Sequence, residues 1–384
     1  MSSTTRPATL CVNMIVRQEE AIIERCLTAL VGLVTDYAIL DTGSTDATLE
    51  RIRSFQHFKG ATASTVFHNF EQARNEALCF AHATTTSTHV LLVDADMVVV
   101  VHNHDELLRL LNTHTSSIFH MTQSHGALEY INTRIVPSSL LPEVRYVGVT
   151  HEFLSASDIY PRVVIPKDVA YIKDVSDGGC KHDKCERDIR LLTTALEQAD
   201  TANADTSRYC FYLAQSYSDA GQLDKAVEFY LKRASMKDTW VEEISYSFIK
   251  LIHIFLYRGD EQQALSALQR LQAINVKRPE GYYAFTKYYR EKGVQAEAIK
   301  YLMLTHQNIP TAADPLPLFY DSSIASYLLY YEATILLWYF DDAWWRQKGK
   351  DLSEYLLSRL DIPDALTQNI QSNYDLYYTK FKSA

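Results

Sequence analysis

Leu91-Leu92-Val93-Asp94-Ala95-Asp96-Met97-Val98-Val99 is the stretch on which the reading of this chain turns. An apolar, β-branched run breaks off in two carboxylates spaced two residues apart, and residues two apart on an extended strand share a face. Burying an unpaired carboxylate is costly, so two of them closing a strand point to a cation or a hydroxylated ligand. Read backwards, the same alternation continues. Leu10–Val16, Tyr37–Leu40, Thr65–Phe67 and His89–Val93 read as strands, with helical patterns over Glu20–Leu33, Ser44–Phe55 and Asn69–His82 between them. Strand and helix in alternation imply a mostly parallel sheet, whose ligands gather at the carboxyl ends of the strands.

Three further clusters fall at those ends. MIVRQEE (Met14–Glu20) closes the first strand. In LDTGSTDATLERI, Asp41 ends the second strand, Gly43 permits a tight turn, and Asp46 suits the start of the next helix. Asp41 has two readings, ligand or turn residue, and ligand is preferred. NFEQARNEAL puts Arg74 and Asn75 on the open side of a helix whose other face is Phe70, Ala73, Ala77 and Leu78.

Past Gly178-Gly179 the pattern becomes helical almost throughout. Gly221, Gly259 and Gly293 recur at spacings of 38 and 34 residues, each followed five residues later by an alanine, Ala226, Ala264 or Ala298. Glycine ends one helix and alanine lets the next pack closely, the requirement of a helix-turn-helix repeat near the tetratricopeptide period. The aromatic run LLWYFDDAWW (Leu337–Trp345) reads as buried helix packing, with an acceptor groove or a homodimer contact as alternatives.

Taken in order, these clusters resemble family 2 glycosyltransferases of the GT-A fold that carry a tetratricopeptide-like helical half. The resemblance extends through YVGVTHEFL (Tyr146–Leu154), SDGGCKHDKCERDIRLL (Ser176–Leu192) and RYCFYLAQSYSDAG (Arg208–Gly221). It implies an α/β GT-A domain, Rossmann-like with a mixed, mostly parallel sheet, over residues 1–178, and an all-α helical repeat domain over 179–384.

The resemblance also implies an inverting transfer of sugar from a nucleoside diphosphate sugar, expected to be a UDP-sugar, to a hydroxyl of a glycan or protein. Asp94 and Asp96, with Ala95 between them, would face the donor, Asp94 toward the ribose or the metal and Asp96 holding Mn2+ or Mg2+ against the diphosphate, with His182 as a third metal ligand. Arg17, Glu20, Asp41 and Arg74 would surround the nucleotide, and Lys184 would add charge from the following loop. A hard cation held by carboxylate oxygens neutralises a diphosphate leaving group. Inversion needs a base for the acceptor hydroxyl. Glu152 is the candidate, with His151 beside it, although Arg145 and Arg162 are alternative ion-pair partners. Arg187 and Asp188 read as a lock between the domains. Cys180, His182 and Cys185 lack the fourth partner of a zinc site. The contrasting reading is a tetratricopeptide interaction protein whose sheet domain binds a nucleotide without turning it over.

The chain has 384 residues, 47% of them apolar, enough for two cores. Its formal charge of −10, from 37 Lys+Arg against 47 Asp+Glu, excludes general attraction to nucleic acid or anionic lipid. Six scattered cysteines fit a reduced, cytoplasmic compartment. The apolar run Ala8–Val16 is too short to span a membrane. A soluble protein is therefore expected.

Overall fold

The computed structural model describes residues 7–125, 128–179, 183–198, 205–236, 240–274, 277–311, 314, 317 and 319–379. The chain divides into two compact units, Met1–Gln198 and Ala199–Ala384. The division falls after Gln198 rather than at Gly178, because the helix that follows the glycines is fastened to the sheet unit by contacts given below.

The first unit runs β1 (Leu10–Val16), α1 (Ile23–Ala29), β2 (Asp36–Asp41), α2 (Thr48–Ser54), β3 (Lys59–Ser64), α3 (Phe70–Thr84), β4 (His89–Leu92), β5 (Met97–Val101) and α4 (His104–Thr113). It continues with β6 (Ile118–His125), β7 (Leu128–Pro137), β8 (Val144–Val147), β9 (Phe153–Ala156), β10 (Arg162–Val164), β11 (Ala170–Asp174) and α5 (Lys184–Gln198). The main sheet has the order β3-β2-β1-β4-β7-β6-β11-β5, with β10 beside β6, while β8 and β9 form a separate hairpin. β3, β2, β1 and β4 run parallel, and β7 enters antiparallel to β4 and β6. This is the mixed, mostly parallel sheet expected of the GT-A fold.

Both faces are covered, as a parallel sheet requires. Ile23 and Leu27 of α1, Ile52 of α2 and Leu107 of α4 pack on one side, and Leu78 and Ala81 of α3 on the other. Asn13 is the polar exception within β1. Its amide donates to Ala38 O at 2.8 Å and Ala77 O at 3.0 Å, so the buried group is satisfied.

The third strand differs from its expected place. β3 is Lys59–Ser64, not Thr65–Phe67, and pairs with β2 from Asp36↔Lys59 to Asp41↔Ser64. It is the sheet's edge and mostly exposed, so its sequence, KGATAS, carries no apolar run to read.

The second unit consists of α6 (Asp205–Asp219), α7 (Leu223–Ser235), α8 (Val241–Tyr257), α9 (Glu261–Ala273), α10 (Pro279–Glu291), α11 (Gln295–Gln307), α12 (Leu329–Trp338), α13 (Ala343–Leu357) and α14 (Asp364–Tyr377). The first three hairpins share one turn. Gly221, Gly259 and Gly293 stand at φ 72°, 74° and 72°, and the residue after each donates back to Tyr217 O, Phe255 O and Tyr289 O at 2.8–2.9 Å. Only glycine adopts that left-handed cap without strain. Ala226, Ala264 and Ala298 are each fully buried at the helix contact. The Leu337–Trp345 run is only partly packed: Tyr339, Trp344 and Trp345 are exposed.

Glu243 of α8 is buried with Arg233 Nε at 2.9 Å and Arg208 Nη1 at 3.7 Å. Removing one member of a buried ion pair leaves an uncompensated charge, so Glu243→Ala should cost about 3–5 kcal/mol of stability, read from denaturant unfolding of the full chain. An unchanged midpoint would contradict it. No helix among the described residues is long and apolar enough to cross a membrane.

Candidate functional site

The carboxylates of the DAD stretch lie in the tight turn between β4 and β5, closed by Met97 N–H donating to Asp94 O at 3.0 Å. Arg74 reaches them from α3, whose start is capped by Asn69 accepting from Gln72 N at 2.8 Å. Its guanidinium lines the cavity and is held by two carboxylates. Nη2 donates to Asp94 Oδ1 at 2.8 Å, Nε donates to Glu152 Oε1, and the plane sits 5.4 Å from the Tyr146 ring centroid.

One arginine thus braces both the DAD turn and the candidate base. Burial opposes its charge, but Asp94 and then Glu152 outweigh that and hold its pKa well above the usual value. Burial likewise pushes Asp94 up. Arg74 and then Arg134 overcome it, leaving the Asp94 carboxyl below its ordinary range. Glu152 pairs with neither Arg145 nor Arg162 in the recorded ion pairs; Arg162 meets Asp158 instead.

Lysine offers a point charge without the planar fork, so Arg74→Lys should lose one of the two charged hydrogen bonds. A drop of roughly 10- to 100-fold in kcat/KM for transfer, with the fold intact by circular dichroism, is expected. Wild-type kcat/KM would remove the bridge from the mechanism.

The loop after β1 is pinned to the β2–α2 turn. Gln18, at φ 58°, donates its N–H to Ser44 Oγ at 3.1 Å and accepts from Thr45 N at 2.7 Å. Glu20, expected at the donor, instead accepts from Ala47 N at 2.9 Å at the entry to α2, outside the cavity lining. Asp41 is not among the cavity-lining residues either. It is buried, and its carboxylate accepts from Gly43 N and Ser44 N at 3.1 Å each, with Gly43 at φ 106°. Asp46 accepts from Thr48 N and hydroxyl. Both acids of DTGSTD therefore accept from backbone N–H groups of the turn and hold it.

Glu19 enters the cavity in their stead. Its Oε2 accepts from Gly179 N at 3.0 Å. A Cβ placed on Gly178 would meet Asp96 Oδ2 at 3.4 Å and Glu19 Oε1 at 3.5 Å, so the two carboxylates approach one point. Burial raises the Glu19 pKa, the Gly179 N–H opposes it, and repulsion from Asp96, Asp94 and Asp46 completes the rise to about 7. Gly179 must stay glycine: a Cβ there would lie 1.8 Å from Gln18 O.

Among the described residues no three His, Cys, Asp or Glu side chains converge as a metal cage. Glu19 and Asp96 fit a divalent ion of the magnesium kind, which takes one or two carboxylates and completes its shell with water and phosphate oxygens. His182 lies outside the described residues, as do Cys180 and Lys181.

Above these groups opens a cavity of about 480 Å³, lined among others by Arg17, Asp94, Ala95, Asp96, His151, Glu152 and Lys184. Arg17, Ala95, His151 and Lys184 thus share one cavity with the DAD turn. His151 adopts φ 51°, with Nε2 3.9 Å from Asp188 Oδ2. Asp188 is buried on α5 and also accepts from Thr150 Oγ1 at 3.1 Å, and Arg187 stacks 4.9 Å from the Phe70 ring. Those contacts lie within the sheet unit and fasten α5 to it, where a lock between domains was expected.

Glu19 and Arg134 are among the cavity residues that the sequence reading did not single out. Glu19 is indistinguishable from Glu20 without the loop's geometry. Arg134 of β7 lies buried beneath Asp94, donating to Leu92 O at 3.2 Å and to Gln123 Oε1. An arginine just before the apolar pair Ile135-Val136 of that strand was its available signal.

Residues 11–129 match the family model for glycosyl transferase family 2. Among solved structures, S. aureus TarS aligns at 13% identity and TM-score 0.35, over 78% of this chain and 55% of that one. This chain thus spans about half the length of that relative. The crystal structure of S. aureus TarS 1-349 aligns at 16% identity and TM-score 0.34, over 82% of this chain and all of that one. The same fragment in complex with UDP-GlcNAc aligns at 15% identity and TM-score 0.35, with the same coverage. No curated protein sequence matches the chain.

Proposed function

We propose that the sheet unit is a metal-dependent, inverting glycosyltransferase that takes its sugar from a nucleoside diphosphate donor, a uridine nucleotide as the sequence resemblance implies, and passes it to a hydroxyl-bearing acceptor. The observation that carries the reading is the Arg74 bridge, which joins Asp94 of the DAD turn to Glu152 across one cavity within a family 2 glycosyltransferase domain. Asp96 and Glu19 would hold Mg2+ or Mn2+, which when bound neutralises charge growing on the leaving diphosphate. Lys184 adds a positive charge at the same cavity.

Glu152 acts on the acceptor. The acceptor oxygen bonds to the anomeric carbon from the face opposite the diphosphate, its proton passes to the Glu152 carboxylate, and the carbon–oxygen bond to the diphosphate breaks with its electron pair. Nucleoside diphosphate leaves. Arg74 keeps Glu152 oriented and Asp94 ionised throughout.

Thermal unfolding with uridine, guanosine, thymidine and cytidine sugar nucleotides, each with Mn2+ and with EDTA, tests the proposal. Saturation at a hundred times the dissociation constant adds about 2.7 kcal/mol. The expected result is stabilisation by one base class, lost in EDTA, together with slow donor hydrolysis. No shift with any nucleotide would overturn it, and binding without hydrolysis would favour an inactive nucleotide-binding domain.

A further inference from the structure

Tyr130 and Phe153 are large aromatic residues, 41% and 43% exposed, and both line the cavity that holds Glu152. Neither belongs to the donor machinery. Each stands on a strand: Tyr130 on β7 opposite Gln123, Phe153 at the start of β9 opposite Val147, so neither backbone is free to retreat. Phe153 and Glu152, neighbours in the chain, both line this cavity.

The polar groups around them suit hydroxyls. Asn132 lines the same cavity, and Asp174 stands at its edge with Oδ2 accepting from Gln123 Nε2 at 2.9 Å. The arginines of this wall are committed, Arg74 to Asp94 and Glu152, and Arg134 to Leu92 O and Gln123. Arg17, Lys184 and Arg187 line the same cavity and fall to the donor diphosphate in this reading, whereas an acceptor at Tyr130 and Phe153 has the Glu152 and Asp174 carboxylates as neighbours, which disfavour an anion. A pyranose ring offers what such a wall accepts: an apolar C–H face for an aromatic ring and hydroxyls for acids and amides.

We infer that Tyr130 and Phe153 form an acceptor subsite that binds a neutral pyranose ring of a glycan. The inference rests on the glycosyltransferase reading and narrows its acceptor.

Calorimetric titration of the full chain, with UDP and Mn2+ present, is the test, using cellotriose, chitotriose and mannotriose as neutral probes against glycerol 3-phosphate and a serine-containing peptide. At least one trisaccharide should bind, Tyr130→Ala and Phe153→Ala should each weaken it about tenfold, and Phe153→Trp should restore binding. Melting temperatures confirm that the variants fold.

Binding by no trisaccharide, tighter binding of glycerol 3-phosphate or the peptide, or wild-type affinity in both alanine variants would each overturn the subsite. A failure of the donor reading shows elsewhere, as absence of any nucleotide-sugar stabilisation while trisaccharide binding still responds to the two rings.

Discussion

Asp96→Ala is expected to lower kcat/KM of the proposed metal-dependent transfer by about 1,000-fold or more, several kcal/mol of lost leaving-group stabilisation. The two acids of the DAD turn are not equivalent. Asp94 has its charge balanced by Arg74 and Arg134, whereas the Asp96 carboxylate approaches the point that Glu19 also approaches. A divalent cation bound beside both carboxylates would draw on the two together. Asp96→Ala should therefore also abolish the difference in nucleotide-induced stabilisation between Mn2+ and EDTA. Full turnover of this variant in Mn2+ would remove Asp96 from the metal site.

Glu152→Gln is the second large effect. Glutamine keeps the shape and the oxygen that accepts from Arg74 Nε, but it cannot take a proton. Transfer should fall by roughly 100- to 10,000-fold while nucleotide-sugar stabilisation persists, the separation expected of a general base. Glu152→Ala differs, because it leaves the buried Arg74 without one of its two counter-charges and should lower the melting temperature as well. Wild-type kcat in Glu152→Gln would transfer the base role to another group, and loss of donor binding would recast Glu152 as a donor ligand.

Strands with apolar runs announced themselves, as β1, β2 and β4 show, because burial on both faces demands continuous hydrophobicity. β3 did not, since an edge strand half in solvent has no such demand. The Gly-x4-Ala pattern identified the helical hairpins in advance, because a left-handed cap and a close helix contact each admit few residue types. Asp41 and Glu20, read from the sequence as donor contacts, both accept from backbone N–H groups of the β2–α2 turn. A carboxylate after a strand serves a ligand or the backbone N–H groups of the next turn equally well in composition, and only the path of the loop decides.

By itself, then, the sequence determined the class of the sheet, the helical repeat and the place of the acidic turn, all of which follow from local periodicity and residue type. The tertiary structure alone decided that Glu19 rather than Glu20 faces Asp96, that Arg74 spans Asp94 and Glu152, and that α5 belongs with the sheet. Each depends on side chains brought together from distant segments, and the direction of a side chain across such a gap is set by packing, which no local pattern encodes.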